Sequence, residues 1–112
     1  LGSCVVITKA HHPRFNDLQE EEMQELLVVV KELEGALAKR WTFDNINWLM
    51  LMMKDKHTHF HVFPRYNRER EFNGRVWKES EPTSNPFNLQ KVDCALRELQ
   101  AIRDAISAQI IK

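Results

Sequence analysis

Residues Asn47 to Phe63 read NWLMLMMKDKHTHFHVF, and the two halves of this stretch predict the strands on which the fold turns. Asn47–Met53 is almost wholly apolar, the pattern of a strand covered on both faces. His57–Phe63 alternates instead, and Pro64, which has no N–H to give, is expected to end the ladder. Lys54-Asp55-Lys56 between them is a short polar turn, so the pair predicts an antiparallel hairpin. Successive side chains of a strand point to opposite faces. His57, His59 and His61 are therefore expected to project together, with Thr58, Phe60 and Val62 behind them.

Working outward, Cys4–Thr8 (CVVIT) is a short apolar, β-branched run that suits a buried strand. Asp17 and Glu20 stand at capping-box spacing, and Glu20 to Glu22 place negative charge where a helix dipole favours it. Met23, Leu26, Leu27, Val30, Leu33 and Leu37 follow at helical steps, predicting a helix from Leu18 to Arg40. Residues 65–87 are charged or rich in Pro, Ser, Asn and Gly, and read as a long irregular loop anchored by Phe72 and Trp77. A second helix is expected over 88–112, with Val92, Ala95, Leu99, Ile102, Ile106 and Ile110 on one face, packed on the sheet or on a second copy. The expectation is one α+β domain over residues 1–112: an antiparallel sheet from CVVIT, NWLMLMM and HTHFHVF, with two packed helices.

Composition narrows the function classes. With 112 residues the chain has room for one modest core. A formal net charge of zero gives no bulk electrostatic handle for DNA, RNA or an anionic membrane. No run of about 18 apolar residues crosses a bilayer, so a cytoplasmic protein is expected. Cys4 and Cys94 have no short spacing and read as buried free thiols of a reducing compartment, with one long-range disulfide as the alternative. The chain opens at Leu1-Gly2 without Met, directly before the first apolar run, as if a piece preceded it.

The three histidines carry the chemistry. Alternate residues of a strand lie roughly 6.5–7 Å apart at Cα, close enough to work on one substrate. A neutral imidazole is a competent nucleophile near neutral pH, and a neighbouring histidine can hold a proton for an oxyanion or leaving group. Two other readings stand beside this one. The histidines of a half-exposed strand can simply face solvent. They can also bind zinc, which would call on a further ligand such as His11, His12, Glu79 or Asp93. His11 and His12 themselves read as solvent-facing, and Met50, Met52 and Met53 as core filler.

HTHFHVFPRY closely resembles the signature of the histidine triad family, in which three histidines alternate with apolar residues. Thr58 is the polar departure at one of those apolar positions. LGSCVVITKAHHPRFNDLQEEEM, FDNINWLMLMM and REFNGRVWKES are similar to the segments that precede and follow the signature, so the likeness spans about residues 1–80. The resemblance implies cleavage of a nucleoside 5′-phosphoanhydride or phosphoramidate, dinucleoside polyphosphates among them, through a nucleotidyl-histidine intermediate. It implies His59 as nucleophile, His57 as its orienting neighbour, partly through the backbone carbonyl, and His61 at the phosphate or leaving group. No metal cofactor is required on this reading, although Mg²⁺ can accompany the substrate.

Asn47, Lys54 and Arg65 are candidate substrate contacts: Asn47 at ribose or phosphate, Lys54 and Arg65 at phosphate. The alternatives are a strand-edge cap for Asn47, a solvated turn for Lys54 and a surface residue for Arg65. Trp77 packs over the site or anchors the loop, packing being the favoured role. Ser3 stands where many members of the resembled family carry a fourth histidine. Met53–Lys56 stands in place of an amide-bearing phosphate loop, and no N-terminal hairpin precedes Leu1. Either the start is trimmed or the site is more open, which keeps a low-activity homologue that binds nucleotide or protein as the alternative function, with a zinc-binding module as a third. A homodimer is expected.

Overall fold

The computed structural model describes residues 1–52, 57–89 and 92–110, the side chain of Asn88 aside. Five strands and two helices follow in the order β1 (Cys4–Ile7), α1 (Glu20–Trp41), β2 (Asn45–Leu49), β3 (His59–Arg65), β4 (Arg70–Phe72), β5 (Arg75–Trp77) and α2 (Leu96–Ile110). The class is α+β. β3 is the centre of a three-stranded antiparallel sheet of order β1-β3-β2, and β4 and β5 form a separate antiparallel pair.

β3 is placed between two partners by its register. His59 lies opposite Ile7 and His61 opposite Val5 on one side, while His61 also faces Leu49 and Phe63 faces Asn47 on the other. Pairing partners share a face. One face of the sheet therefore carries His59, His61 and Phe63, with Val5, Ile7, Leu49 and Asn47 around them. The opposite face presents Val62, Cys4, Val6, Ile46 and Trp48 to the core, where Leu33, Ala36, Leu37 and Trp41 of α1 meet it. The Trp48 indole N–H donates to Glu34 Oε2 at 2.8 Å, which fixes helix to strand.

Three local devices set the limits of α1. The Gln19 backbone N–H donates to Glu22 Oε1 at 2.9 Å, so the capping box sits two residues after the expected Asp17–Glu20 pair. Asp17 instead closes a 3-10 turn, accepting from the Arg14 N–H. At the other end Thr42 adopts φ 51° and donates its N–H to the Ala38 carbonyl. Arg70 donates to the Trp41 and Thr42 carbonyls at 2.8 Å each, a cation at the negative end of the helix. Only the last turns of the predicted stripe are buried. Met23 and Leu27 are exposed, because the small sheet meets the half of α1 that contains Leu33 to Trp41.

The remaining differences from expectation have physical causes. β2 begins at Asn45 and ends at Leu49, and the expected turn 54–56 lies outside the described residues. β3 runs through Pro64, opposite Ile46, to Arg65. β1 pairs with β3 only as far as Val62, so Pro64 has a ladder partner on one side alone, the edge setting that tolerates a missing N–H. The supposed loop contains a hairpin, with Asn73 at φ 49° and Gly74 at φ 79° supplying the two positive angles of a tight turn. α2 starts at Leu96 and not at Asn88, because Pro86–Asn88 closes a 3-10 turn capped by Asn85. The Glu98 carboxylate then accepts the Ala95 N–H at 3.1 Å to open the helix. α2 lies along α1, with Ile106 buried and Ala101, Ile102 and Ala105 half-buried against the core. Leu96 and Leu99 stay exposed. Cys4 and Cys94 are free and half-buried where buried thiols were expected, and burial pushes the Cys4 thiol up. Among the described residues no helix is long and apolar enough to cross a membrane.

Two glycines test this packing differently. Gly2, at φ +83°, leaves no room for a side chain: a Cβ there would sit 3.0 Å from Leu37 Cδ2 and 3.2 Å from Trp41 Cζ3. Gly74 has a similar φ with open space around it. Gly74→Ala should cost about 1 kcal/mol from backbone strain alone. Gly2→Ala adds overpacking and should cost about 2–4 kcal/mol. Urea unfolding of both variants checks the order, and equal losses would show that Gly2 is not pressed against α1.

Candidate active site

His59 opens β3 and is 9% exposed. Its Nδ1 lies 2.6 Å from the backbone carbonyl of His57. A carbonyl only accepts, so Nδ1 carries a proton, and in the neutral ring the lone pair is left on Nε2. A neutral imidazole held this way is a nucleophile with one available nitrogen. The His61 ring lies edge-on to it with centroids 5.0 Å apart, and is itself stacked on Phe63 at 6.1 Å with an interplanar angle of 4°. His61 is thus carried on an aromatic support beside the His59 ring.

His57 differs from the expected picture. β3 begins at His59, so His57 precedes the strand, and its ring is engaged with the loop after β1. Its Nε2 donates to the Thr8 carbonyl at 2.6 Å. Its Nδ1 faces His11 Nδ1 at 3.4 Å, the two rings packed edge-on at 5.0 Å. His57 therefore meets the middle histidine through its carbonyl, while its ring is used to hold the loop after β1. His12 belongs to the same arrangement. Its Nε2 pairs with Glu22 Oε2 at 2.9 Å, and it is half-buried where a solvent-facing residue was expected. The Glu22 carboxyl is held below its usual range, first by the Gln19 N–H and then by His12.

The candidate substrate contacts separate into three cases. Lys54 lies outside the described residues. Asn47 faces Phe63 on the histidine side of the sheet, and its Oδ1 accepts from Arg65 Nη1 at 2.9 Å. Arg65 is no surface residue, being 2% exposed. Its Nε donates to Glu79 Oε1 at 2.7 Å, Nη1 also reaches the Ser84 carbonyl at 2.9 Å, and Nη2 the Glu81 carbonyl at 3.2 Å. Glu79 Oε2 accepts the Tyr66 N–H at 2.9 Å as well. Arg65 thus ties the segment from Glu79 to Ser84 onto the end of β3, beside Asn47. Trp77 packs half-buried against the core, in the anchoring role. Among the described residues no group of three or more His, Cys, Asp or Glu side chains is placed to hold a metal ion.

Val5 and Ile7 are missing from the sequence-derived site although they flank His61 and His59 directly. They are 58% and 53% exposed, so an open apolar strand borders a His59 that is itself buried. The alternation of β1 carried that signal, but only the register of β1 on β3 reveals which residues meet. The carbonyls of Thr8 and His12 were equally out of reach, because backbone acceptors have no signature in the sequence.

A family model described as HIT domain matches residues 2–68, from the entry to β1 through the end of β3. A bis(5′-adenosyl)-triphosphatase of Dictyostelium discoideum is 24% identical over 106 residues, which cover 90% of this chain and 71% of that protein. An uncharacterized HIT-like protein of Methanocaldococcus jannaschii is 31% identical over 75 residues, covering 62% of this chain and 57% of the relative. In fold, the chain is similar to a histidine triad protein from Bradyrhizobium japonicum, with a TM-score of 0.71 at 17% identity, over 97% of this chain and 75% of that one. It is also similar to a hypothetical histidine triad nucleotide-binding protein from Sulfolobus tokodaii, with a TM-score of 0.58 at 22% identity, over 96% and 71% of the two chains.

The Arg65 cluster generates a stability prediction. Arg65→Met leaves the Glu79 carboxylate, 14% exposed, without its cation. Loss of one partner of a buried pair should cost about 3–5 kcal/mol. Chemical denaturation of the variant measures this, and a loss under about 1 kcal/mol would place the pair in the class of weak surface bridges.

Proposed function

The chain belongs to the histidine triad family, the HIT domain, and on that footing we propose that it hydrolyses nucleoside 5′-phosphoanhydrides or phosphoramidates through a nucleotidyl-histidine intermediate. The observation that carries this reading is the single hydrogen bond that puts the Nδ1–H of His59 on a carbonyl and so makes Nε2 the basic nitrogen of the neutral ring, beside a second imidazole. The similarity to a bis(5′-adenosyl)-triphosphatase directs the choice of substrate toward dinucleoside polyphosphates.

In this proposal His59 Nε2 attacks the α-phosphorus of the nucleotide. A P–N bond forms as the bond to the leaving phosphate or amine breaks. His61 contacts the phosphoryl oxygens or supplies the proton that the leaving group needs. Water then attacks the same phosphorus and gives its proton to His61 or to solvent as the P–N bond breaks, so the nucleoside monophosphate departs and the imidazole is regenerated. His57 contributes its carbonyl, which stabilises the Nδ1–H as positive charge develops on the ring. Asn47 lies on the same face, opposite Phe63 and so four residues along β3 from His59, and is assigned to ribose or phosphate through its remaining amide donors. The nucleophile is an imidazole and no bound metal hydroxide is needed, so Mg²⁺ enters only as the substrate's counter-ion.

The test is release of AMP from diadenosine polyphosphates and from an adenosine phosphoramidate, with and without EDTA. Wild type should release AMP in both conditions, and His59→Ala should be slower by at least about a thousandfold. Equal rates from the two proteins would remove His59 from the chemistry.

A further inference from the structure

We infer that Thr58 is a positioning residue whose buried hydroxyl, together with the His12 carbonyl, pins the peptide that orients the His59 imidazole. The inference rests on the nucleotidyl-transfer reading for its kinetic consequence, but its geometry stands apart from it.

The His57 carbonyl, which accepts from His59 Nδ1, and the Thr58 N–H belong to the same rigid plane. The Thr58 N–H donates to the His12 carbonyl at 3.0 Å. Thr58 Oγ1 donates to that same oxygen at 2.6 Å. One acceptor therefore grips residue 58 twice, through backbone and side chain, and the plane cannot turn without breaking a bond. At its opposite edge the plane presents the carbonyl that sets the tautomer and aim of His59.

The grip is anchored in three further ways. The Thr8 N–H donates to the Thr58 carbonyl at 3.3 Å, and the His57 ring donates back to the Thr8 carbonyl. His12 is held to Glu22 in the first turn of α1, so the acceptor is tied to the helix and not to a free loop. Thr58 is 0% exposed, so its hydroxyl has no water to fall back on and the His12 oxygen is its acceptor. An apolar residue of the same shape at position 58 would keep the N–H bond but lose the second bond.

Misplacement of a reacting group by about 1 Å can cost on the order of a hundredfold in rate. Loosening one of two bonds on the peptide should therefore cost less, about tenfold in kcat. Substrate contacts are untouched, so KM should hold.

Thr58→Val removes the hydroxyl at nearly constant shape, and Thr58→Ser keeps it. Steady-state kcat and KM per folded protein are read beside ¹⁵N NMR of the histidine rings. The expected result is a fall of about tenfold in kcat for Thr58→Val with KM within about twofold. His59 should then show a mixture of Nδ1–H and Nε2–H forms, and Thr58→Ser should match wild type in both readouts. Wild-type kcat and a pure Nδ1–H form in Thr58→Val would overturn the inference. If Thr58→Val fails to fold, Thr58→Cys, of similar size and with a weak donor, takes its place under the same criteria. If wild type cleaves none of the nucleotides, the nucleotidyl-transfer reading fails, while the ring tautomers in the variants still decide the role of Thr58.

Discussion

The hydrogen bond from His59 Nδ1 to the His57 carbonyl, 2.6 Å long, selects which nitrogen of the proposed nucleophile is available. Rotating the ring or reversing its tautomer would break it and turn an N–H toward the substrate. A strand alone does not supply such a constraint, since within a strand successive carbonyls point to the neighbouring strands. It arises here because β3 starts at His59, and His57 lies in the segment just before it. The carbonyl of His57 is thereby released from the ladder and returned to the ring two residues ahead. A site that looks like three residues on one strand is, physically, a strand end plus the loop that holds it.

The sheet and helices hold that strand end from several sides. β3 is paired on both sides at His61, and the reverse face of the strand buries Val62 against α1. Its far end is closed by Arg65, whose guanidinium takes four protein acceptors and leaves the Glu79 carboxylate with two donors. Burying such a pair is costly unless every group is satisfied. Here the cluster is well enough paired to hold a segment with little regular structure against the strand. Phe63 between Arg65 and His61 then transmits a fixed surface to the second imidazole.

Much of this was legible in the sequence, for reasons that can be named. Period-two alternation in HTHFHVF and the apolar run before it specify two adjacent strands, and the charge at both ends of residues 18–40 specifies a helix. The α+β class follows from these, and the family resemblance makes His59 the candidate nucleophile. The ring position of His57 did not follow, because alternation assumes the strand already includes that residue. The hairpin at 70–77 was missed although Asn73-Gly74 is a strong turn signal, since the flanking strands have three residues each and carry many charges. Arg65 looked exposed because it follows a proline. Its burial depends on Glu79, Glu81 and Ser84, whose return to β3 is a tertiary fact. The start of α2 was misplaced because the apolar spacing continues upstream of the Glu98 side chain that opens the helix.

The central claim is that Nε2 of His59 is the atom that takes the nucleotidyl group. It is tested most directly by mixing the protein with a diadenosine polyphosphate, quenching in alkaline denaturant that preserves P–N bonds, and locating the adduct. Peptide mass spectrometry assigns the residue, and ³¹P NMR distinguishes linkage at the two ring nitrogens. The account predicts an adenylyl group on His59 through Nε2. An adduct on His61, or on His59 through Nδ1, would contradict it.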